Sequence, residues 1–136
     1  MIEDLVLDLI HDEGFRQHPY KDSVGVLTIG YGRNLEDVGI KAYEAKYLLT
    51  QDIRRAITES NAVFSWLQGC PDNVRRGLYN MVFNLGMPRL KGFKKMLAAL
   101  EAGDYSKAAD EALDSKWAKQ VGRRADRIAE LFRNSV

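Results

Sequence analysis

The sequence is poor in the residues that tie small proteins together. It has one cysteine, Cys70, in 136 residues, so it can form no internal disulfide, and one thiolate alone makes no metal site. Cys70 is expected to serve as a small packed hydrophobe. His11 and His18 stand without a matching cluster elsewhere, so no zinc site and no other metal site is expected. Charge of one sign is also missing. The 20 Lys and Arg against 19 Asp and Glu leave a net +1, which supplies no global field for nucleic acid or for an acidic partner. No nucleic-acid-binding motif is present. Long apolar runs are absent too. The opening MIEDLVLDLI carries acids early and lacks a basic start, so it reads as neither signal peptide nor membrane span. No stable membrane insertion is expected, and no unaided route out of the cytoplasm. Three prolines and no Pro, Ser or Gly run mean no long linker, and no repeat or low-complexity segment is visible.

What is present is ordinary for a globular chain. The residues are 46% hydrophobic and 29% charged, and the length allows a core without metals or disulfides. One domain is expected.

Helical spacing runs through Ile2, Leu5, Val6, Leu9 and Ile10, which predicts an amphipathic helix over 2–12. Glu13 falls at the end of its apolar face and Gly14 ends it. Two short strands follow, with a tight turn near Ser23–Gly25, and a third is expected around Asn34–Glu36. A long helix is expected from Lys41 to Ser60, then a short one holding Phe64, Trp66 and Leu67. Asp72 is a good N-cap. Val74, Leu78, Met81, Val82 and Leu85 share one face of the next helix, closed by Gly86, and should form the centre of the larger core. Leu90, Phe93, Leu97 and Leu100 predict a helix ended by Gly103. Asp104 caps another, with Ala108, Ala109 and Ala112 inward. A turn at Trp117 precedes a last helix with Val121, Ala125, Ile128, Ala129 and Phe132 buried. This order predicts an α+β chain: a small sheet lobe and a larger all-helical lobe.

The chemistry concentrates in Asp12–Gly32, DEGFRQHPYKDSVGVLTIGYG. Cleaving a glycosidic bond needs a proton for the leaving oxygen and a second carboxylate for the developing charge or for a water. Glu13 and Asp22 differ in the required way. An apolar seat at the end of a helix face favours a proton-bearing carboxyl at Glu13, while a polar turn favours an ionised Asp22. The Thr28 hydroxyl across the hairpin suits a water or a sugar. On spacing alone this is a weak signal, and the blander reading is that Glu13 satisfies a helix end and Asp22 caps a turn.

The order Glu, eight residues, Asp, five residues, Thr, in the setting DEG…YKD…G…TIGYG, resembles the phage lysozymes of glycoside hydrolase family 24. Asp72–Gly86, DNVRRGLYNMVFNLG, is similar to that family's central helix. Gly92-Phe93, Ser115-Lys116-Trp117 and Arg123–Ile128 also match, in order, over nearly the whole chain.

The resemblance implies a single two-lobed lysozyme domain over 1–136. Its small lobe would span about 13–59, and its helical lobe about 60–136 plus helix 1–12. It implies hydrolysis of the β-1,4 bond between N-acetylmuramic acid and N-acetylglucosamine in peptidoglycan, by a monomer without cofactor. Glu13 would be the general acid, Asp22 the second carboxylate, and Thr28 would help place the water. Arg124 matches the arginine that reaches back to the catalytic glutamate. The other cations of the last helix (Lys119, Arg123, Arg127) read as a solvated face, diluted by Asp126 and Glu130. Phe83 and Asn84 match positions that line the cleft, although Phe83 reads equally well as core. Phe93 and Trp117 read as core rather than sugar platforms. The implied setting is a phage endolysin, held in the host cytoplasm until a holin opens the inner membrane. A lytic transglycosylase and a non-catalytic peptidoglycan-binding module are the alternatives. Arg33 stands where the family's best-known member has histidine, so that member's ion pair is not expected here, and the segment after Asn34 is short.

Overall fold

The structure is a computed structural model that describes residues 1–135. Two compact units divide it, Met1–Leu48 and Leu49–Val136. The α+β class expected from the sequence is what is found.

The first unit opens with α1, Ile2–Glu13, closed at Gly14, whose N–H donates to the Ile10 carbonyl. Strands β1, Arg16–Lys21, β2, Leu27–Gly30, and β3, Arg33–Asn34, form an antiparallel sheet in the order β1-β2-β3. Thr28 is the register point, paired to Tyr20 on one side and to Asn34 on the other. The third strand lies slightly earlier than expected, at Arg33–Asn34 rather than Asn34–Glu36. Among the described residues of this unit only Thr28 is buried. The apolar stripe of α1 is amphipathic as expected, yet Ile2, Leu5, Val6, Leu9 and Ile10 are all exposed.

Polar bonds therefore order this unit. Arg33 reaches the first turn of α2, Ala42–Val63, and grips Glu44 with both guanidinium nitrogens, Nη1 to Oε1 at 3.0 Å and Nη2 to Oε2 at 2.6 Å. Nη1 also donates to the Gly39 carbonyl at 3.0 Å. The Lys41 N–H donates to the same Glu44 carboxylate at 2.8 Å. Bidentate geometry of this kind is the strong form of an ion pair. Asn34 and Asp37 close the intervening turn with two further bonds of 2.9 Å.

The second unit has the core. Its centre is α3, Asp72–Leu85, which buries Val74, Gly77, Leu78, Met81, Val82 and Leu85. Asp72 is its first residue rather than its cap. Pro71 takes the cap position without a side-chain bond, and Asp72 pairs with Arg75 one turn on. Against α3 lies α8, Arg123–Arg133, with Ala125, Ile128, Ala129 and Phe132 inward. Phe132 lies over Gly77, where a β-carbon would stand 2.7 Å from its ring. Each large apolar side chain buried in this way contributes roughly 1.5–3 kcal/mol.

The remaining elements differ in part from those expected from periodicity. A 3-10 turn, Leu67–Gly69, holds the buried Leu67. The stretch expected as one helix over Leu90–Leu100 is two: α4, Met87–Leu90, and α5, Lys94–Ala102, broken where the Gly92 N–H turns back to the Arg89 carbonyl. Helix α6, Tyr105–Leu113, is capped by Asp104, which accepts from the Lys107 N–H. The turn at Trp117 is a helix, α7, Lys116–Val121, capped by the Ser115 hydroxyl. Cys70 is half-buried rather than buried, and its thiol donates to the Trp66 carbonyl at 3.6 Å.

Candidate active site

The first unit carries Glu13, Asp22 and Thr28, each set by a local device. Asp22 follows β1 and makes the hairpin turn. Its Oδ1 accepts from the Val24 and Val26 N–H groups at 3.0 and 2.9 Å, and its own N–H donates to the Val26 carbonyl at 2.9 Å. Both side-chain bonds fall on Oδ1, and Oδ2 takes no part in the turn. Thr28 is 4% exposed at the middle of the sheet. Its hydroxyl donates to the Val26 carbonyl at 2.8 Å. A hydroxyl has one proton and two lone pairs, so Thr28 Oγ1 can accept from a water but has no second proton to donate. Asp22 and Thr28 thus share Val26 as their backbone partner.

Glu13 is the last residue of α1, and its carboxylate lies against Gly32. A β-carbon on Gly32 would come within 2.8 Å of Oε2 and 2.9 Å of Cδ. Gly32 also has φ +78°, a left-handed conformation that glycine adopts without strain. Both properties require glycine at the end of the TIGYG motif. Glu13 is exposed, and α1 buries none of its residues. The apolar seat expected for this carboxyl is therefore not supplied by its own helix; what the carboxylate lies against is Gly32.

Arg33 follows Gly32 directly. Its clamp on Glu44 was hidden in the sequence, because the partners are eleven residues apart with no periodic relation. The hydrogen bond from Arg33, and then that from the Lys41 N–H, hold the Glu44 carboxyl down at about 2, against an ordinary 4.5.

The second unit carries Phe83, Asn84 and Arg124. Phe83 is 45% exposed, so its side chain is not core. It lines a hollow of about 420 Å³ with Ile53, Ile57, Tyr79 and Arg124. Arg124 donates its Nε–H to Asn80 at 2.9 Å; Glu13, the partner implied by the resemblance, belongs to the first unit. Asn84 is engaged elsewhere. Its amide oxygen accepts from the buried Trp117 indole N–H at 2.7 Å. Trp117 in turn meets Phe93 edge to face, ring centres 6.0 Å apart. These two aromatics floor a separate groove of about 580 Å³, rimmed by Arg89, Lys94, Lys95 and Lys116 with Glu111 and Asp114. Among the described residues no group of three or more His, Cys, Asp or Glu could hold a metal ion. No helix among them is long and apolar enough to cross a membrane.

Residues 11–133 match the family described as phage lysozyme. The chain belongs to the phage lysozyme family. A probable T4-type lysozyme of Dictyostelium discoideum is 29% identical, over 91% of this chain and 90% of that protein. A SAR-endolysin of bacteriophage PS119 is 35% identical, over 73% of this chain and 60% of that protein. The pre-baseplate central spike protein Gp5 of Enterobacteria phage T4 is 30% identical, over 91% of this chain and 26% of that protein. As a phage lysozyme the chain is an enzyme that hydrolyses peptidoglycan. The match opens at residue 11, two before Glu13, and takes in the hairpin with Asp22 and Thr28, α3 and α8.

Proposed function

We propose that this phage lysozyme is an endolysin that hydrolyses the β-1,4 bond between N-acetylmuramic acid and N-acetylglucosamine, acting as a monomer during host-cell lysis. Glu13 gives its proton to the leaving sugar oxygen. Asp22, through the oxygen not used by its turn, draws a proton from the attacking water. Thr28 accepts that water's other hydrogen, the one role its committed hydroxyl leaves open. Phe83 and Asn84 serve substrate binding from the second unit, Asn84 through its amide nitrogen, since Trp117 occupies the oxygen. Release from the host cytoplasm falls to a holin. The observation that carries the reading is the Gly32 wall behind the Glu13 carboxylate.

The test is digestion of purified cell walls followed by mass spectrometry of the fragments. Reducing sugar ends are expected. Anhydro ends would instead mean that the sugar's own hydroxyl replaces water, a lytic transglycosylase. The alternative of a peptidoglycan-binding or structural module without catalysis is tested on the same protein. Clearing of outer-membrane-stripped cells separates the two, because a pure binder leaves turbidity unchanged.

A further inference from the structure

The first unit has a catalytic wall and almost no core to hold it. Gly32 faces the Glu13 carboxylate, yet the strand that follows, β3, is two residues long. Its ladder to β2 consists of the pairs Thr28–Asn34 and Ile29–Arg33. So short a strand holds its place weakly on its own. The Leu35 N–H donates to the Leu27 carbonyl at 2.8 Å and the Leu27 N–H to Glu36 at 2.9 Å just beyond it, and at the Gly32 end the added tie is Arg33, the next residue, through the two bonds to Glu44 and the one to the Gly39 carbonyl. Glu44 is itself tied to the start of α2 by the Lys41 N–H.

We infer that Arg33 and Glu44 are positioning residues for the catalytic acid, setting the place of Gly32 and through it that of the Glu13 carboxylate. Neither touches substrate. The inference rests on Glu13 being the acid. The clamp is planar and two-pronged, so it restricts rotation as well as distance. A single ammonium in place of the guanidinium would hold the strand at one point only.

The experiment compares Glu44→Gln, Arg33→Met, the double variant and Arg33→Lys with the parent enzyme on soluble peptidoglycan fragments. Asp104→Ala, which removes the α6 cap in the other unit, supplies a control of reduced stability with the clamp intact. Glu13→Gln is run beside them, and folding is checked by circular dichroism. A misplacement of an ångström or less at a reacting group costs on the order of 10- to 100-fold. A fall in kcat of about tenfold or more is therefore expected for Glu44→Gln and Arg33→Met, with KM within about twofold, since no binding group is removed. The double variant should lose no more than either single one, because they share one interaction. Arg33→Lys, which keeps the charge, should fall between, and it carries the test if the other variants do not fold. Kcat values near the parent's for the folded clamp variants, with Glu13→Gln inactive, would overturn the positioning role alone. So would losses that Asp104→Ala reproduces at equal stability. An active Glu13→Gln would overturn the assignment of the acid itself.

Discussion

The carboxylate of Glu13 fills the space that a side chain on Gly32 would need, with Oε2 2.8 Å from the position of the missing β-carbon. The obstacle is the flexible end of a side chain, so a residue added at 32 displaces Glu13 rather than breaking the fold. Gly32→Ala should lower kcat on the order of 10- to 100-fold. The left-handed φ of +78° should cost alanine a further 1–2 kcal/mol or so of stability. Turbidity clearing and urea unfolding measure the two effects separately.

Asp22 combines a turn role on Oδ1 with a proposed chemical role on Oδ2. Asparagine keeps the amide oxygen that accepts from Val24 and Val26. Asp22→Asn should therefore melt close to the parent while losing roughly 10²- to 10⁴-fold in rate. Asp22→Ala should lose the rate and also about 1–3 kcal/mol, as the turn bonds go. Thermal melts and single-substrate kinetics on both variants separate fold from chemistry.

Glu44 makes acid stability measurable at one residue. Its carboxyl is held at about 2 in the folded chain, below the ordinary 4.5. A depressed folded value means that the contribution is fully present above the unfolded value. It is lost as pH falls from about 4.5 toward 2. Urea midpoints of the parent and Glu44→Gln should differ at pH 7 and converge across that window. A gap that persists at pH 2 would contradict the assignment.

The core of the second unit predicts a stability effect without a chemical one. Alanine normally favours a helix over glycine, yet a β-carbon at Gly77 would sit 2.7 Å from the Phe132 ring. Gly77→Ala should lower stability by about 1–3 kcal/mol through overpacking, while leaving kcat per folded molecule unchanged. Denaturant unfolding and active-site titration check both halves.

These outcomes also mark what could be read from the chain. The stripe of α3 was legible in Val74, Leu78, Met81, Val82 and Leu85, and that of α8 in Ala125, Ile128, Ala129 and Phe132, because they repeat at helical spacing; Val121, expected in the same last stripe, instead ends α7 and is half-buried. The split of α4 from α5 and the helix at Trp117 were not, because segments of four and six residues are too short to show a period. In the site, the motif order pointed to Glu13, Asp22 and Thr28. The sequence did not reveal the wall behind Glu13, the clamp beside that wall, or the pairing of Asn84 with Trp117. Each joins residues eleven or more apart, and only the folded chain brings them together. Phe83 remained ambiguous because an aromatic at helical spacing serves core and surface alike; its exposure places it on the surface.

The central claim is that Glu13 delivers the proton that breaks the glycosidic bond. The direct measurement is the cell-wall hydrolysis rate of Glu13→Gln, with circular dichroism on the same sample. The substitution keeps size and shape and removes the transferable proton. The account predicts a folded protein whose rate has fallen at least about 10²-fold. A folded Glu13→Gln that clears cell walls at the parent's rate would contradict it.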